Sequence, residues 1–137
     1  GRQPLNIDKD ELLTKIIIPM PRGRFGSSYQ KLRMRGSIDY PLASAASFIY
    51  IDDKGFIVDS RVVIGAAGPS PKIVMETSGL KGKEARDEHF EDIAQDAFKI
   101  AEGVNNQPLP GTYRRKMIRV LTKRALLESI KDIHREQ

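Results

Sequence analysis

Hydrophobic and polar residues alternate with a period of about two through the first half of the chain, as they do in β-strands. The segments that show this alternation, or a short β-branched run, predict strands over 15–19, 29–39, 43–51, 56–66 and 72–75. In the strand over 56–66, the alternation puts Phe56 and Val58 on the core side. Gly55 favours a hairpin at 52–55, whereas 20–27 is typical of a loop. These segments predict an antiparallel meander.

The last third of the chain changes to helical spacing of apolar residues. One helix is predicted over 87–102, with Asp87 as N-cap and Gly103 as its stop. A second helix is predicted over 112–134. Its apolar residues up to Ala125 share one face, whereas Leu127, Ile130 and Ile133 lie on nearly the opposite face. We expect one face to pack on the sheet and the other to meet another domain or a second copy of the chain, unless the last turns fray.

The predicted fold class is therefore α+β, an antiparallel sheet of three to four strands packed against two C-terminal helices. The 137 residues, 39% hydrophobic and 30% charged, fit one compact domain. The chain has no apolar run near the roughly 20 residues that cross a bilayer, so we expect a cytoplasmic location and no membrane partner.

Residue types exclude several kinds of chemistry. Because the chain has no cysteine, it holds no disulfide, thiolate metal site or iron–sulfur ligand. Its two histidines, His89 and His134, are far apart and lack metal-ligand spacing, so no metal site is expected. Neither of the glycine-rich phosphate loops of nucleotide-binding proteins occurs. The net charge of +5 favours anionic partners without identifying one.

The predicted strand over 29–39 carries a row of cations along one face. Tyr29, Lys31, Arg33 and Arg35 occupy alternate positions and so share one face. Such a row, which begins at an aromatic ring, can meet an anionic, planar ligand. It is also typical of a solvated edge strand whose charges discourage pairing with other chains, and this stretch alone favours that second interpretation.

One short motif indicates a competing function. Gly79-Leu80-Lys81-Gly82 has the Gly-x-x-Gly form with which KH domains clamp a nucleic-acid backbone. Two glycines at this spacing more often mark an ordinary turn. In a KH domain the motif lies between two helices, whereas here a predicted strand and a Pro-rich turn precede it. The alternative function is thus a small basic module that binds RNA or another polyanion, although nucleic acid is not the expected partner.

Several sequence blocks occur in a fixed order along nearly the whole chain. They are Tyr29-x-Lys31-x-x-x-Arg35-x-x-x-Asp39, Asp59-x-Arg61-Val62 with Gly65-Ala66, Leu80-x-Gly82-Lys83, and Tyr113-Arg114-Arg115. In this order they resemble the C-terminal domain of the FAD-binding (medium) subunit of molybdenum hydroxylases, the carbon monoxide dehydrogenase and xanthine dehydrogenase family. The resemblance implies that residues 1–19 are a linker from an FAD-binding domain missing from this chain, plus a first strand, and that 20–137 form the C-terminal domain.

The same resemblance implies a part in a flavin-dependent oxidoreductase that is not catalytic by itself. Electrons would pass from a molybdopterin centre through iron–sulfur clusters to FAD and on to an acceptor. The implied partners are the FAD-binding domain of the same subunit and the iron–sulfur and molybdopterin subunits, with self-association through the C-terminal helix as a further possibility. Tyr29, Lys31, Arg35 and Asp39 would lie near the isoalloxazine ring, where positive charge stabilises reduced flavin.

Overall fold

A four-stranded sheet with helices on one face forms the fold. The computed structural model describes residues 7–19, 21, 23–36, 38–103, 105 and 108–135. Its strands are β1 (Arg24–Leu32), β2 (Ala43–Ile51), β3 (Ile57–Gly65) and β4 (Lys72–Ile73). They are followed by a 3-10 helix (Met75–Leu80), α1 (Asp87–Ile100) and α2 (Gly111–Arg135). The sheet is antiparallel in the order β1-β2-β3-β4, which confirms the predicted α+β class.

The hairpin between β2 and β3 is formed as predicted. The Asp52 carboxylate accepts hydrogen bonds from the backbone N–H groups of Lys54 and Phe56, both at 2.9 Å, and Gly55 adopts a φ of +87°. An aspartate that binds the next backbone donors fixes such a turn, and glycine supplies the positive φ without steric cost. The turn therefore sets the pairing of these two strands.

A β-bulge at the start of β3 reverses the faces that the sequence predicts there. Tyr50 pairs with Asp59 but Ile51 pairs with Ile57, so Val58 is an extra residue in the ladder. As a result Ile57 is buried, whereas Phe56 and Val58 are each 37% exposed. The prediction that Phe56 and Val58 face the core was wrong because the bulge shifts the alternation by one residue.

Helix α2 lies across β1 and β2 at unusually short range. In the buried interface, the hydroxyl oxygens of Ser47 and Ser129 are 2.6 Å apart. A Cβ atom at Gly26 of β1 would overlap the carbonyl oxygen of Ser129 and lie 2.9 Å from Cγ1 of Ile133. The sheet and helix backbones approach this closely only because small side chains separate them.

The buried side of α2 is one continuous stripe. Ile133, which the sequence assigns to a second face, is buried in the same core as Ile118, and so is Leu126. The polar residues Thr122 and Ser129 complete the stripe, and both are fully buried. The predicted division into two faces was wrong in this respect, because small hydroxyl side chains occupy positions that the apolar pattern leaves out.

Helix α1 packs beside α2 and over the 3-10 helix, with Phe90, Ile93 and Ala97 buried. The helix begins at Asp87 rather than after it, with Arg86 as the N-cap residue, and ends at Ile100. The predicted cap was therefore displaced by one residue. The Asp87 carboxylate instead lies 3.1 Å from Nζ of Lys123, so this acidic side chain joins the two helices.

The segment 7–19 forms no strand, although 15–19 was predicted as one. Ile16, Ile17 and Ile18 are 75–81% exposed, and a single turn is closed where Glu11 donates to the carbonyl of Asp8. A β-branched run becomes a strand only where another strand satisfies its backbone, and in the described ranges none lies beside it. Residues 1–6 of the predicted linker lie outside the described part of the chain.

We expect Gly26→Ala to destabilise the fold by about 2–3 kcal/mol, because the added methyl group forces α2 away from β1. Urea unfolding measures this change. Gly36→Ala is the matched control, since a Cβ atom at Gly36 meets nothing within 4 Å, and we expect it to change the free energy of unfolding by less than about 1 kcal/mol. Equal effects in the two variants would contradict the close approach.

Candidate functional site

One face of the sheet carries no helix in the part of the chain that the structure describes. Residues paired directly across strands share a face, and Ser47 faces α2, so the neighbouring positions of β2 face away. We call this surface the open face. Its larger side chains are Phe25, Tyr29 and Lys31 of β1, Phe48 and Tyr50 of β2, Arg61 and Val63 of β3, and Ile73 of β4.

The open face combines aromatic and apolar side chains with cations. The rings of Phe25 and Phe48 lie 6.1 Å apart, and Tyr29 and Ile73 remain 57% and 54% exposed. Tyr29, Ala46, Val63 and Ile73 follow one another across the four strands. A contiguous exposed apolar patch with charged side chains beside it is typical of an interaction surface.

Tyr29 and Lys31 lie next to each other on this face, as predicted. Lys31 makes no hydrogen bond or ion pair to any described residue. Its neighbours across the sheet are Ser44 and Gly65, and a Cβ atom at Gly65 would lie only 2.7 Å from Oγ of Ser44. Ser44 is only 5% exposed, so the accessible groups at this end of the open face are the side chains of Tyr29 and Lys31.

Arg35 and Asp39 lie in the loop after β1, not on the strand. The strand ends at Leu32, whose carbonyl accepts the N–H of Leu42 at 2.8 Å and so closes the loop. The prediction that Arg33 and Arg35 extend the row of Lys31 was wrong, because the backbone bends from Met34 onward. The four predicted site residues are thus divided between the sheet and the adjoining loop.

The Asp39 carboxylate organises this loop. One oxygen accepts hydrogen bonds from the N–H groups of Met34 at 3.1 Å and Arg35 at 3.2 Å, and the other lies 3.6 Å from the Arg35 guanidinium. Partial burial raises the pKa of Asp39, but these N–H groups and the Arg35 charge outweigh it and hold the pKa below its ordinary value. The loop that follows Lys31 is therefore held by an ionised carboxylate at neutral pH.

The Gly79–Gly82 motif is an ordinary turn in this structure. Gly82, with φ +79°, donates its N–H to the carbonyl of Ile57 at 2.7 Å, and Lys83 donates to Leu80 at 3.0 Å. A backbone clamp needs such N–H groups free to meet phosphates. Since internal carbonyls occupy both, the geometry favours the structural interpretation over RNA binding.

A groove of about 540 Å³ between the outer sides of α1 and α2 is a second candidate, which the sequence did not predict. Val120 and Leu127 lie in it, and their position opposite the buried stripe of α2 was the available signal. Glu91 accepts from Nε of Arg119 at 2.7 Å and pairs with Nζ of Lys123 at 3.0 Å. The hydrogen bonds from Arg119 and Lys123 lower the pKa of Glu91.

Two arginines of α2, Arg114 and Arg124, have different surroundings. Arg114 is 4% exposed and so lies in the core. Arg124 instead lines the groove and is exposed, because its position lies well away from the buried stripe. Among the described residues the Arg124 guanidinium has no ion-pair partner.

The described residues bring no three metal-binding side chains together at a possible metal site. Their helices also lack a segment with the length and apolar character needed to cross a membrane.

The fold defines a class: an α+β domain whose sheet carries its own helices on one face and, in the described part of the chain, no helix on the other. Residues 27–129 match the family of the CO dehydrogenase flavoprotein C-terminal domain. The chain belongs to this family. The resemblance to the C-terminal domain of the FAD subunit of molybdenum hydroxylases is thereby confirmed.

Similar proteins include a dehydrogenase subunit and solved enzymes. The chain is 30% identical over 122 residues to the glyceraldehyde dehydrogenase medium chain of Sulfolobus acidocaldarius. This match covers 88% of this chain and 42% of that protein. It is similar to reconstituted CO dehydrogenase from Oligotropha carboxidovorans, with a TM-score of 0.74 and 25% identity over 84% of this chain and 40% of that chain.

CO dehydrogenase from Hydrogenophaga pseudoflava, in a form that lacks the Mo-pyranopterin moiety, shares the fold with a TM-score of 0.77 at 22% identity. The match covers 84% of this chain and 40% of that chain. The chain thus spans about two fifths of the length of the relatives that it matches.

We expect Glu91→Gln to lower stability at neutral pH by about 0.5–1 kcal/mol, because it weakens the link between α1 and α2. Since the folded-state pKa of Glu91 is lowered, its stabilisation is fully present above the ordinary value of 4.5 and is lost as the pH falls through the lower folded value. The difference from the wild type should therefore shrink near pH 3.

Thermal unfolding at pH 7 and pH 3 measures this difference. Glu88→Gln is the control, because Glu88 lies in the first turn of the same helix but makes no ion pair to any residue that the structure describes. A Glu91→Gln deficit that is the same at both pH values would contradict the assignment of the stabilisation to the ionised carboxylate.

Proposed function

We propose that this chain covers the flavin in the FAD subunit of a molybdenum hydroxylase-type oxidoreductase, with its open face toward the FAD-binding domain. The observation that carries the proposal is the exposed ring of Tyr29 beside the ammonium group of Lys31, which has no partner among the described residues, on a sheet face that no described helix covers. Family membership supports FAD as the cofactor of the parent subunit. The segment 7–19, with its exposed isoleucines, would be the linker to the FAD-binding domain.

The open face suits an isoalloxazine ring in chemical character and charge. A planar ring can lie against Tyr29, which is 57% exposed, within reach of the neighbouring Lys31. The aromatic and apolar residues farther along the face, Phe25, Phe48 and Ile73, would pack against protein rather than cofactor. One continuous surface would then serve both contacts.

In this proposal, Lys31 contributes charge and no bond making. A cation beside the ring favours the reduced, negatively charged form of the cofactor and so raises its reduction potential. Arg35 and Asp39 would act indirectly, by holding Lys31 in position. Their ion pair and the two backbone hydrogen bonds to Asp39 fix the loop that follows Lys31. This chain would position and tune the cofactor.

When bound, FAD would take up electrons that come from a molybdopterin centre through iron–sulfur clusters and deliver them to an acceptor. The iron–sulfur and molybdopterin subunits are therefore the proposed partners of the assembly, and the cytoplasm is its proposed location. The relatives support the enzyme class.

We expect Lys31→Gln to lower the flavin reduction potential by on the order of 30 mV, as estimated for one charge several ångströms from the ring in a partly hydrated site. The protein is co-expressed with its FAD-binding domain, and the potential is measured by spectroelectrochemical titration. Lys54→Gln, in the hairpin between β2 and β3, is the control and should leave the potential unchanged.

An unchanged potential in Lys31→Gln, with flavin bound at full occupancy, would contradict a position of Lys31 beside the ring. Failure of the co-expressed protein to bind any flavin would contradict the proposed function as a whole.

A further inference from the structure

The groove between α1 and α2 has a preformed apolar floor. Phe98, Val120 and Leu127 line it, and Val120 is 37% exposed although it is a large aliphatic residue. The Arg115 guanidinium lies 4.7 Å from the centroid of the Phe98 ring and donates to the Phe98 carbonyl at 3.3 Å. These contacts fix the ring in place, so the floor does not need to form on binding.

The rim of the groove carries more positive charge than its own carboxylate balances. Arg119 and Lys123 share Glu91, and Lys123 also reaches Asp87. Lys116 and Arg124 line the same groove and form no hydrogen bond or ion pair with any described residue. Two exposed cations therefore stand unneutralised beside an apolar floor.

We propose that this groove is the docking site of an acidic, amphipathic helix from a partner subunit, an interface that rests on the proposed function. Residues 116–127 span about 17 Å along α2, which matches about three turns of a docked helix. Lys116 and Arg124 are eight residues apart, or about 12 Å along the axis. The partner helix would therefore carry two carboxylates about two turns apart, with an apolar side chain between them facing Val120 and another beyond the second carboxylate facing Leu127.

Charge selects this occupant over a second copy of the chain. In a two-fold pairing the same surface faces itself, so the cationic rim of one groove would oppose the cationic rim of the other. Like charges placed across an interface disfavour the pairing, whereas carboxylates opposite Lys116 and Arg124 favour it. The C-terminal helix thus contacts a different subunit through its outer side rather than its own copy.

The test is assembly of the complete subunit, this chain with its FAD-binding domain, with the iron–sulfur and molybdopterin subunits of the same enzyme. We expect the double variant Lys116→Glu/Arg124→Glu to weaken assembly at least tenfold, measured as a dissociation constant at low salt. Lys54→Glu/Lys81→Glu makes the same change of four charge units at two exposed positions outside the groove, and it should leave the constant within about twofold of the wild type.

Crosslinking identifies the occupant. With p-benzoylphenylalanine in place of Gln95 at the groove, we expect crosslinks to one helix of a partner subunit that bears carboxylates about two turns apart. Wild-type affinity in the double variant, or crosslinks to a second copy of this chain, would overturn the proposal. Flavin content and reduction potential are measured in the same samples, so loss of assembly with both unchanged leaves the flavin-covering function intact, whereas loss of flavin indicates failure of that function.

Discussion

The close approach of α2 to the sheet is the constraint on which the other features of this domain depend. At Gly26 the absence of a side chain lets the helix backbone come within van der Waals distance of β1, and the paired hydroxyls of Ser47 and Ser129 fill the next layer. Larger residues at these positions would lift the helix from the strands. Because α2 covers β1 and β2 so tightly, that side of the sheet is closed, and in the described part of the chain no helix lies on the other side.

The same packing determines where α1 can lie. With α2 resting on the first two strands, the remaining core side chains are covered by α1 and the 3-10 helix, so α1 packs on the flank of α2. Glu91 and Asp87 then join the helices through Lys123 and Arg119. Two neighbouring helices on one layer leave a groove on their outer side, and that groove is a direct result of the fold.

Elements with strong periodicity could be predicted from the sequence, whereas features that depend on tertiary pairing could not. β2 and both α-helices have regular apolar spacing and occur close to their predicted bounds. β1 begins at Arg24, within a segment whose glycines and prolines favoured a loop, because Arg24 pairs with Ile51. The bulge at Val58 leaves no mark in composition, since one extra residue in a strand changes the faces without changing the residue types.

In the candidate site, too, the sequence predicts which residues share a face but not which cations are paired. Alternation places Tyr29 and Lys31 on one face, but only the structure shows that Lys31 lacks a partner among the described residues, whereas Arg35 binds Asp39.

Many other cations are also neutralised locally, as Lys72 is by Glu102 and Lys99 is by Asp96. The net charge of +5 is therefore a poor guide to partners, because charges already paired contribute little to recognition. Cations without a partner among the described residues lie beside exposed apolar side chains at two places, the open face and the α1–α2 groove, and this combination is typical of contact surfaces.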